Sequence, residues 1–489
     1  MLSTFQETRW KSATRALPIL FILGLQSATA DAASVTIDRR SPSIAVIDQI
    51  LGMNMANWFD PTQADMATAL KTGGIASLRW PGGSASDTFH WQTNSECNGG
   101  YVDGHASFDN FFSKIVAPHS PDVAVTVNYG SNAACAGGGD PAEAASWVAY
   151  AKAHGDKVSH WTVGNEVYGS WEYDLHATPH DAATYANAVA SGYYPQMKTA
   201  DPSALVGVVV QPGWSPAWDP IVLSQAPYDF VEYHYYAQGP GSESDSYLVG
   251  SASQDFAAQI AAVKADLAAA GHAGTPIYVG ELGSVYSNPG KQTTSITQAL
   301  FAGQVLGEMM KAGVARATWW LGFGGCSDAS SGNFSSALYG WQTFGGYMVF
   351  SDGTPEYGCN GAPMTPLGTL LPTARAYQLF SNVARNGESV LPLTSAGSAS
   401  VRAYAATHGA GTAVVLFNLS EAKTIPVKLL VKGMRSASDV SVTTYDKAIY
   451  DRSKSGVWAG PNTVDRGPLA LPTTISLTPW SMNVIIVTP

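Results

Sequence analysis

Between residues 50 and 380 the chain repeats one pattern: a short apolar run followed by a longer stretch with helical character, eight times in succession. The apolar runs fall at 50–55, 75–80, 123–128, 158–164, 205–210, 230–235, 277–280 and 315–321. Between them the sequence turns amphipathic. Asp140-Pro141-Ala142-Glu143 sets a capping Asp ahead of a first-turn Pro, and 253–270 is Ala-rich with apolar residues at helical spacing. Eight strands alternating with helices is the pattern of a (β/α)8 TIM barrel. After about residue 386 the helices stop. Alternating runs at 400–406, 412–418, 423–431, 440–446 and 481–487, parted by Gly, Ser and Pro, predict a small antiparallel β-sandwich.

The predicted organisation is a leader at 1–30, N-terminal strand(s) at 31–49 joining the sandwich, a catalytic barrel at 50–385 and a β-sandwich at 386–489. A chain of 489 residues is too long for one simple core. No repeat or low-complexity linker separates the parts, so barrel and sandwich are expected to pack together. The leader reads as a signal peptide. Arg9, Lys11 and Arg15 precede an apolar run at 16–25, and Ala28-Thr29-Ala30 follows as a small-residue cleavage site. The run is too short for a membrane span, and nothing later is apolar enough for one. A secreted protein, extracellular or periplasmic, is the expectation, with no membrane association after leader removal.

Four cysteines in an exported chain imply two disulfides. Three pairings are possible; Cys97–Cys135 and Cys326–Cys359 are favoured because each clips nearby loops. The absence of a CxxC motif, and of a His close to a Cys pair, gives no metal site and no cofactor. His176 and His180 read as a solvated loop pair. A net charge of -11 argues against nucleic acid and anionic membranes as partners. Oligomeric state is not legible.

In a TIM barrel, chemistry collects where the strands end at the C-terminal face. Those ends carry Arg79-Trp80-Pro81-Gly82-Gly83, Asn128-Tyr129, Gly164-Asn165-Glu166, Glu232-Tyr233-His234-Tyr235-Tyr236, Gly280-Glu281 and Trp319-Trp320. Two Glu residues, each closing a buried strand among aromatics, are what glycoside hydrolysis requires. One protonates the leaving oxygen and the other attacks or stabilises the anomeric carbon.

The segments around these residues resemble the clan of retaining (β/α)8-barrel glycoside hydrolases with catalytic Glu on strands four and seven. Within it, Leu78-Arg79-Trp80-Pro81-Gly82-Gly83, Gly164-Asn165-Glu166 followed by Gly169 and Trp171, and the pair His234 and Tyr236 are most similar to the α-L-arabinofuranosidase family. Gly280-Glu281 with Ser284 and Tyr286 resembles the nucleophile segment of the β-glucuronidase and heparanase family. The chain departs from the arabinofuranosidases at three places. Its first strand end lacks their acidic residue, Ser84 stands for their Asn, and Leu282 follows the nucleophile position where they often carry an aromatic.

The resemblance implies Glu166 as acid/base and Glu281 as nucleophile. Physically, Glu166 needs a raised pKa from aromatic cover and nearby negative charge, while Arg79 and Tyr236 should keep Glu281 ionised. Asn165 is placed for a sugar hydroxyl, and His234 for orienting its neighbours. Asn128, Trp171 and Trp320 are expected to support or bind substrate. Trp319 should be core, since neighbouring strand residues face opposite ways. Trp80, Trp91, Trp214 and Trp341 are further loop aromatics that could stack on sugars or simply pack.

Charge narrows the substrate. The segments after the strand ends (54–66, 81–106, 129–143, 167–183, 211–227, 237–254, 282–292 and 322–362) hold one cation, Lys291, and several acids such as Asp87, Asp174, Asp328 and Glu356. A uronate would need cationic partners, so a neutral sugar is favoured. The expected activity is therefore α-L-arabinofuranosidase on an oligo- or polysaccharide. A neutral-sugar endo- or exo-β-glycosidase, or a β-glucuronidase, follows. A non-catalytic carbohydrate-binding protein on a decayed barrel would have lost one carboxylate, and both are present. The long insertion after strand eight, 322–361, is expected over the barrel mouth, either as a wall that closes one end of the cleft or as one side of a groove.

Overall fold

Eight parallel strands close into a barrel in this computed structural model, which describes residues 33–213, 217–353 and 365–489. The proposed leader, Trp214, Glu356 and Cys359 lie outside the described residues. In chain order the barrel strands are Gly52–Asn54, Ser77–Trp80, Asp122–Val127, His160–Val163, Leu205–Val210, Phe230–Gln238, Ile277–Val285 and Arg316–Trp319. They are called barrel strands one to eight below. All eight apolar runs became strands. The sixth and seventh outrun their predicted ends, because above the rim they stay paired with each other through Leu282 with Tyr235, Gly283 with Tyr236 and Val285 with Gln238.

That pairing contains the irregularity on which the site depends. Tyr278 is opposite Glu232 and Val279 opposite Tyr233, but Glu281 is opposite His234, so Gly280 is an extra residue. Strand side chains alternate between faces. Tyr278 packs inside the barrel with Ala124 and Phe230. Without the bulge, Glu281 would therefore point outward, away from His234; one inserted residue returns it to the interior. The inserted residue has to be glycine. A Cβ there would lie 2.1 Å from Glu232 Oε1.

The helices cover the barrel as their caps and apolar faces dictate. Pro141–His154 starts where the Asp140 carboxylate accepts from the Ala142 amide and ends at left-handed Gly155, burying Trp147, Val148 and Ala151. Ile296–Ala312 is different: every residue from Ile296 to Met310 is buried. Its Phe301 meets Trp319 of the barrel, while Gly303 and Gly307 lie against Phe417, Met482 and Tyr404. Those three residues belong to the sandwich, so this helix is shared between both parts.

The sandwich has two sheets. One runs Leu393–Ala396, Ala33–Asp38, Ile425–Lys432, Thr473–Leu477; the other runs Val401–His408, Gly411–Asn418, Ser481–Thr488, Asp439–Asp446, Asn462–Asp465. Ala33–Asp38 pairs parallel with Ile425–Lys432 and antiparallel with Leu393–Ala396. Strand Gly411–Asn418 is buried throughout. Its Val414 and Leu416 fill the sandwich core, and Val415 and Phe417 join the barrel-side core. From Ala32 onward the chain is one compact unit. The expectation that helices stop after 386 fails at Lys447–Arg452, a short helix capped by the Asp446 carboxylate accepting from the Ile449 amide. The strands at 462–465 and 473–477 are also additional to the sequence reading. No helix among the described residues is long and apolar enough to cross a membrane.

Cys97 and Cys135 form a disulfide joining the loops after barrel strands two and three, with Cα atoms 5.6 Å apart. Cys326 is oxidised as well; its proposed partner Cys359 is outside the described residues.

Gly280→Ala should lower conformational stability by roughly 1–3 kcal/mol, the usual range for forced overpacking. Denaturant midpoints at constant m-value measure it. An unchanged midpoint would show that the Glu232 carboxylate moves aside at no cost.

Candidate active site

Arg79 is fully buried at the end of barrel strand two and reaches strands one, six and seven and the turn after strand four. Its Nη1 donates to Asn54 Oδ1 at 3.0 Å and Glu281 Oε1 at 3.0 Å. Its Nη2 donates to Asn165 Oδ1 at 2.7 Å and lies 3.0 Å from Glu232 Oε1. Asn54 also donates to the Gly280 carbonyl at 2.9 Å, tying strand one to the bulge. Glu232, His234 and Tyr236 follow one another at the two-residue period of strand six and share its inner face. Glu232 accepts from Thr162, Arg79 and His234 Nε2, the last at 3.0 Å.

The two proposed catalytic carboxyls meet above this layer. Glu281 Oε2 accepts from the Tyr236 hydroxyl at 2.7 Å. Glu166 Oε1 faces His234 Nδ1 at 2.8 Å, and Glu166 Oε2 accepts from the Trp171 indole at 2.8 Å. One ligand atom each from Glu166, His234 and Glu281 lie within 4.8 Å of one another. Glu166 has φ of 42°, a left-handed conformation uncommon for a residue with a side chain. That backbone twist presents the carboxyl to the cavity immediately after Asn165. The same three atoms could span a cation. They are already matched as donors and acceptors, however, with Arg79 adding a buried positive charge beside Glu281.

The titration of the cluster departs from expectation. Burial alone would lower the His234 imidazole, but Glu281, Glu166 and Glu232 around it push it up to about 10. Burial raises Glu166, yet the bond and charge of His234, with the Trp171 indole, outweigh it and hold that carboxyl below its ordinary range. Burial and the neighbouring Glu166 raise Glu281 against the pull of His234 and Arg79. The expected ordering, Glu166 raised and Glu281 lowered, is thus reversed. Burial carries Glu281 up, while the direct bonds of His234 and Trp171 bring Glu166 down; His234 stands 2.8 Å from Glu166 and 3.9 Å from Glu281.

A cavity of about 690 Å³ opens over these groups. Asn165, Glu166, His234, Tyr236 and Glu281 form its floor, with Ser84, Tyr168, Trp171, Gln211, Tyr286 and Trp320 around them. Trp320 is held under Gly83, where φ is 66° and a Cβ would come 2.4 Å from its ring. A second cavity of about 750 Å³ shares Ser84 and Trp171 with the first and continues past Trp58, Tyr101 and Tyr173. Among the described residues, the three most exposed aromatics, Tyr101, Trp171 and Tyr286, all line one or both cavities. No described Lys or Arg lines either; Lys291, the one cation of the mouth segments, is buried.

Asn128 is not part of this site. Its amide donates to the Phe89 carbonyl and Ser131 hydroxyl and accepts from the Ser131 amide, bracing the turn after strand three. Trp80 is core, stacked on Phe111, as is Trp319 against Phe301 and Tyr377. Trp91 stacks on Trp147, and Trp341 packs against Tyr450 and Trp458. His176 and His180 are not a free solvated pair; both bond to Asp174. Four contributors were not singled out from sequence as site residues: Asn54, Asp87, Glu172 and Glu232. Glu232 was legible, two residues before His234 and therefore on the same face. Glu172 carried no signal, since its position depends on how the loop after strand four folds back.

The sequence matches no protein-family model and no curated relative. Solved structures match in fold. The α-L-arabinofuranosidase from Thermotoga maritima aligns over 93% of this chain and 100% of its own, at 17% identity and a TM-score of 0.72. The arabinofuranosidase from Xanthomonas axonopodis pv. citri covers the same shares at 16% identity and a TM-score of 0.69. A xyloglucanase from Paenibacillus polymyxa covers 94% of this chain and 100% of its own, at 12% identity and a TM-score of 0.65. The barrel-plus-sandwich fold is thus that of known glycoside hydrolase structures.

Arg79→Met should destabilise the protein by about 3–5 kcal/mol, because it strands Glu232 and Glu281 without their cation. Carboxyls left buried and unpaired have folded pKa values above their unfolded ones, so their ionisation cost grows as pH rises through the unfolded range. The loss should therefore be larger at pH 8 than at pH 5, read from denaturant midpoints at both. Equal losses would mean that the carboxyls find other donors.

Proposed function

We propose that this protein is a retaining glycoside hydrolase, with Glu281 as nucleophile and Glu166 as acid/base. The observation carrying the proposal is the close approach of the two carboxyls, whose nearest atoms lie within 4.8 Å. Carboxyl groups about 5–5.5 Å apart suit direct attack through a covalent intermediate, whereas inverting pairs stand roughly 6.5–9.5 Å apart to admit a water. Arg79 and Tyr236 fix both Glu281 oxygens and aim the nucleophile. As a glycosyl ester forms on Glu281 its charge is lost, and the leaving oxygen takes a proton from Glu166. The proton on His234 stands across a 2.8 Å hydrogen bond, so imidazolium and carboxyl share it and Glu166 can be acid in one step and base in the next.

An α-L-arabinofuranosidase acting on an oligo- or polysaccharide is the leading specificity, supported by the motifs of strands two, four and six. The two joined cavities, aromatic-edged and lined by no described Lys or Arg, suit a neutral chain. The continuation past Trp171 also favours a second reading, a neutral-sugar β-glycosidase with an extended cleft. A glucuronidase reading lacks a described Lys or Arg in the cavity lining to meet the carboxylate. Export behind a leader at 1–30 accords with the oxidised cysteines.

Glu281→Gln should cut kcat by orders of magnitude in a folded protein, and a fluoro-sugar inactivator should label Glu281. Glu166→Ala should lose about 10²–10⁴-fold on substrates with poor leaving groups, less on activated aryl glycosides, with partial rescue by azide. Labelling elsewhere, or equal losses with no rescue, reassigns the roles. On a panel of nitrophenyl glycosides, kcat/KM should be highest for neutral sugars, arabinofuranosides first. A glucuronide exceeding every neutral substrate would reverse the charge-based reading.

A further inference from the structure

Beneath the wall of the catalytic cavity lies a carboxyl with no part in the two-glutamate chemistry. Glu172 is 5% exposed and lines neither cavity. Its Oε1 accepts from the Ser84 hydroxyl at 2.9 Å and from Asn165 Nδ2 at 3.0 Å. Its Oε2 is buried with no hydrogen-bond partner among the described residues. Asp87 is close by, accepting from the Asn165 and Tyr129 amides.

The polarity of the wall follows from what each group can do. Arg79 has only donors, so the Asn165 oxygen must face it. Nδ2 then faces Glu172, and only one of its two protons is used there. The other is left for the cavity that Asn165 lines. Ser84 has a single hydroxyl proton and spends it on the same Glu172 oxygen. Its lone pairs remain, and Ser84 also lines the cavity. The wall therefore presents an N–H donor beside a hydroxyl acceptor, which is the complement of one sugar hydroxyl that accepts from Asn165 while donating to Ser84.

We propose that Glu172 is the positioning residue of this wall: it sets which way Asn165, already expected to meet a sugar hydroxyl, and Ser84 present their donor and acceptor to the cavity. The assignment rests on the glycosidase reading above and names its specificity element. Glu172 acts through the acceptor at Oε1, which takes both bonds. Burial, with Asp87 and Glu166 nearby, raises its carboxyl well above the ordinary range, and no described donor meets its second oxygen. A carboxamide can take its place, since it keeps an acceptor oxygen; an alanine cannot. Without Glu172, Ser84 can turn its proton toward the cavity and Asn165 loses the anchor for its Nδ2.

The test compares kcat/KM for the best aryl glycoside with that for each of its mono-deoxy analogues, in wild type and in Glu172→Gln, Glu172→Ala and Ser84→Ala. Far-UV circular dichroism and melting curves verify folding. In wild type, one deoxy position should cost about tenfold or more, the loss expected when a buried polar pair is left unmet. Glu172→Gln should retain that discrimination. Glu172→Ala and Ser84→Ala should reduce it to about threefold or less by slowing the parent substrate while sparing that one analogue. Ser84→Ala carries the test if Glu172→Ala does not fold. A common slowing of all substrates would reduce Glu172 to a structural role and overturn the proposal, as would loss of discrimination in Glu172→Gln, which would assign a charge role instead. A wild type that hydrolyses no glycoside of the panel would overturn the glycosidase reading and this assignment together; hydrolysis with uniform losses overturns this one alone.

Discussion

One guanidinium organises the interior of this barrel. Arg79 is out of contact with water, and its two terminal nitrogens bond to groups on strands one, six and seven and on the turn after strand four. A buried charge is tolerated only when paired and hydrogen-bonded. That demand fixes where Asn54, Asn165, Glu232 and Glu281 stand, and through them the bulge at Gly280 and the turn into Glu166. The barrel below is apolar packing of Ala124, Phe230 and Tyr278. The polar layer rests on it, so Glu281 is held by a strand, while Glu166 stands on the turn just past the end of strand four.

Three carboxyls share two cations in that layer, and the distribution of protons follows from burial and from which groups bond. Glu232 is the counter-ion common to Arg79 and His234 and stays ionised at the base of the site. His234 then holds its proton toward Glu166. The imidazole sits between Glu232 in the core and Glu166 at the cavity floor, and couples the electrostatics of the two.

Much of this was legible in the chain. Eight apolar runs, a change of period near residue 386 and two Glu residues at strand ends lead to the barrel, the sandwich and the carboxyl pair. What escaped did so for physical reasons. Asn128 sits at a strand end like Asn165, but its backbone runs into a tight turn whose amides consume the side chain. Trp80 follows Arg79 directly, so alternation sends it outward into packing with Phe111. Glu172 and Asp87 are brought beside Asn165 by loop closure, which leaves no periodic trace. The pKa order of Glu166 and Glu281 depends on how deeply Glu281 is buried and on which carboxyl His234 and Trp171 bond, and no sequence pattern carries either.

The shared helix Ile296–Ala312 has a consequence for how such a protein can be taken apart or recombined. Its residues are buried on all sides, half against the barrel and half against strands of the sandwich. The Tyr404 hydroxyl donates to Glu308 across the seam at 2.9 Å. A barrel cut free at the seam would present a greasy helix to water, and a foreign sandwich would have to reproduce the pocket that receives Gly303 and Gly307. The C-terminal part is thus not a detachable accessory module of the kind shuffled between polysaccharide-degrading enzymes. Sequence change on the sandwich face is therefore constrained by a helix that also packs on the barrel.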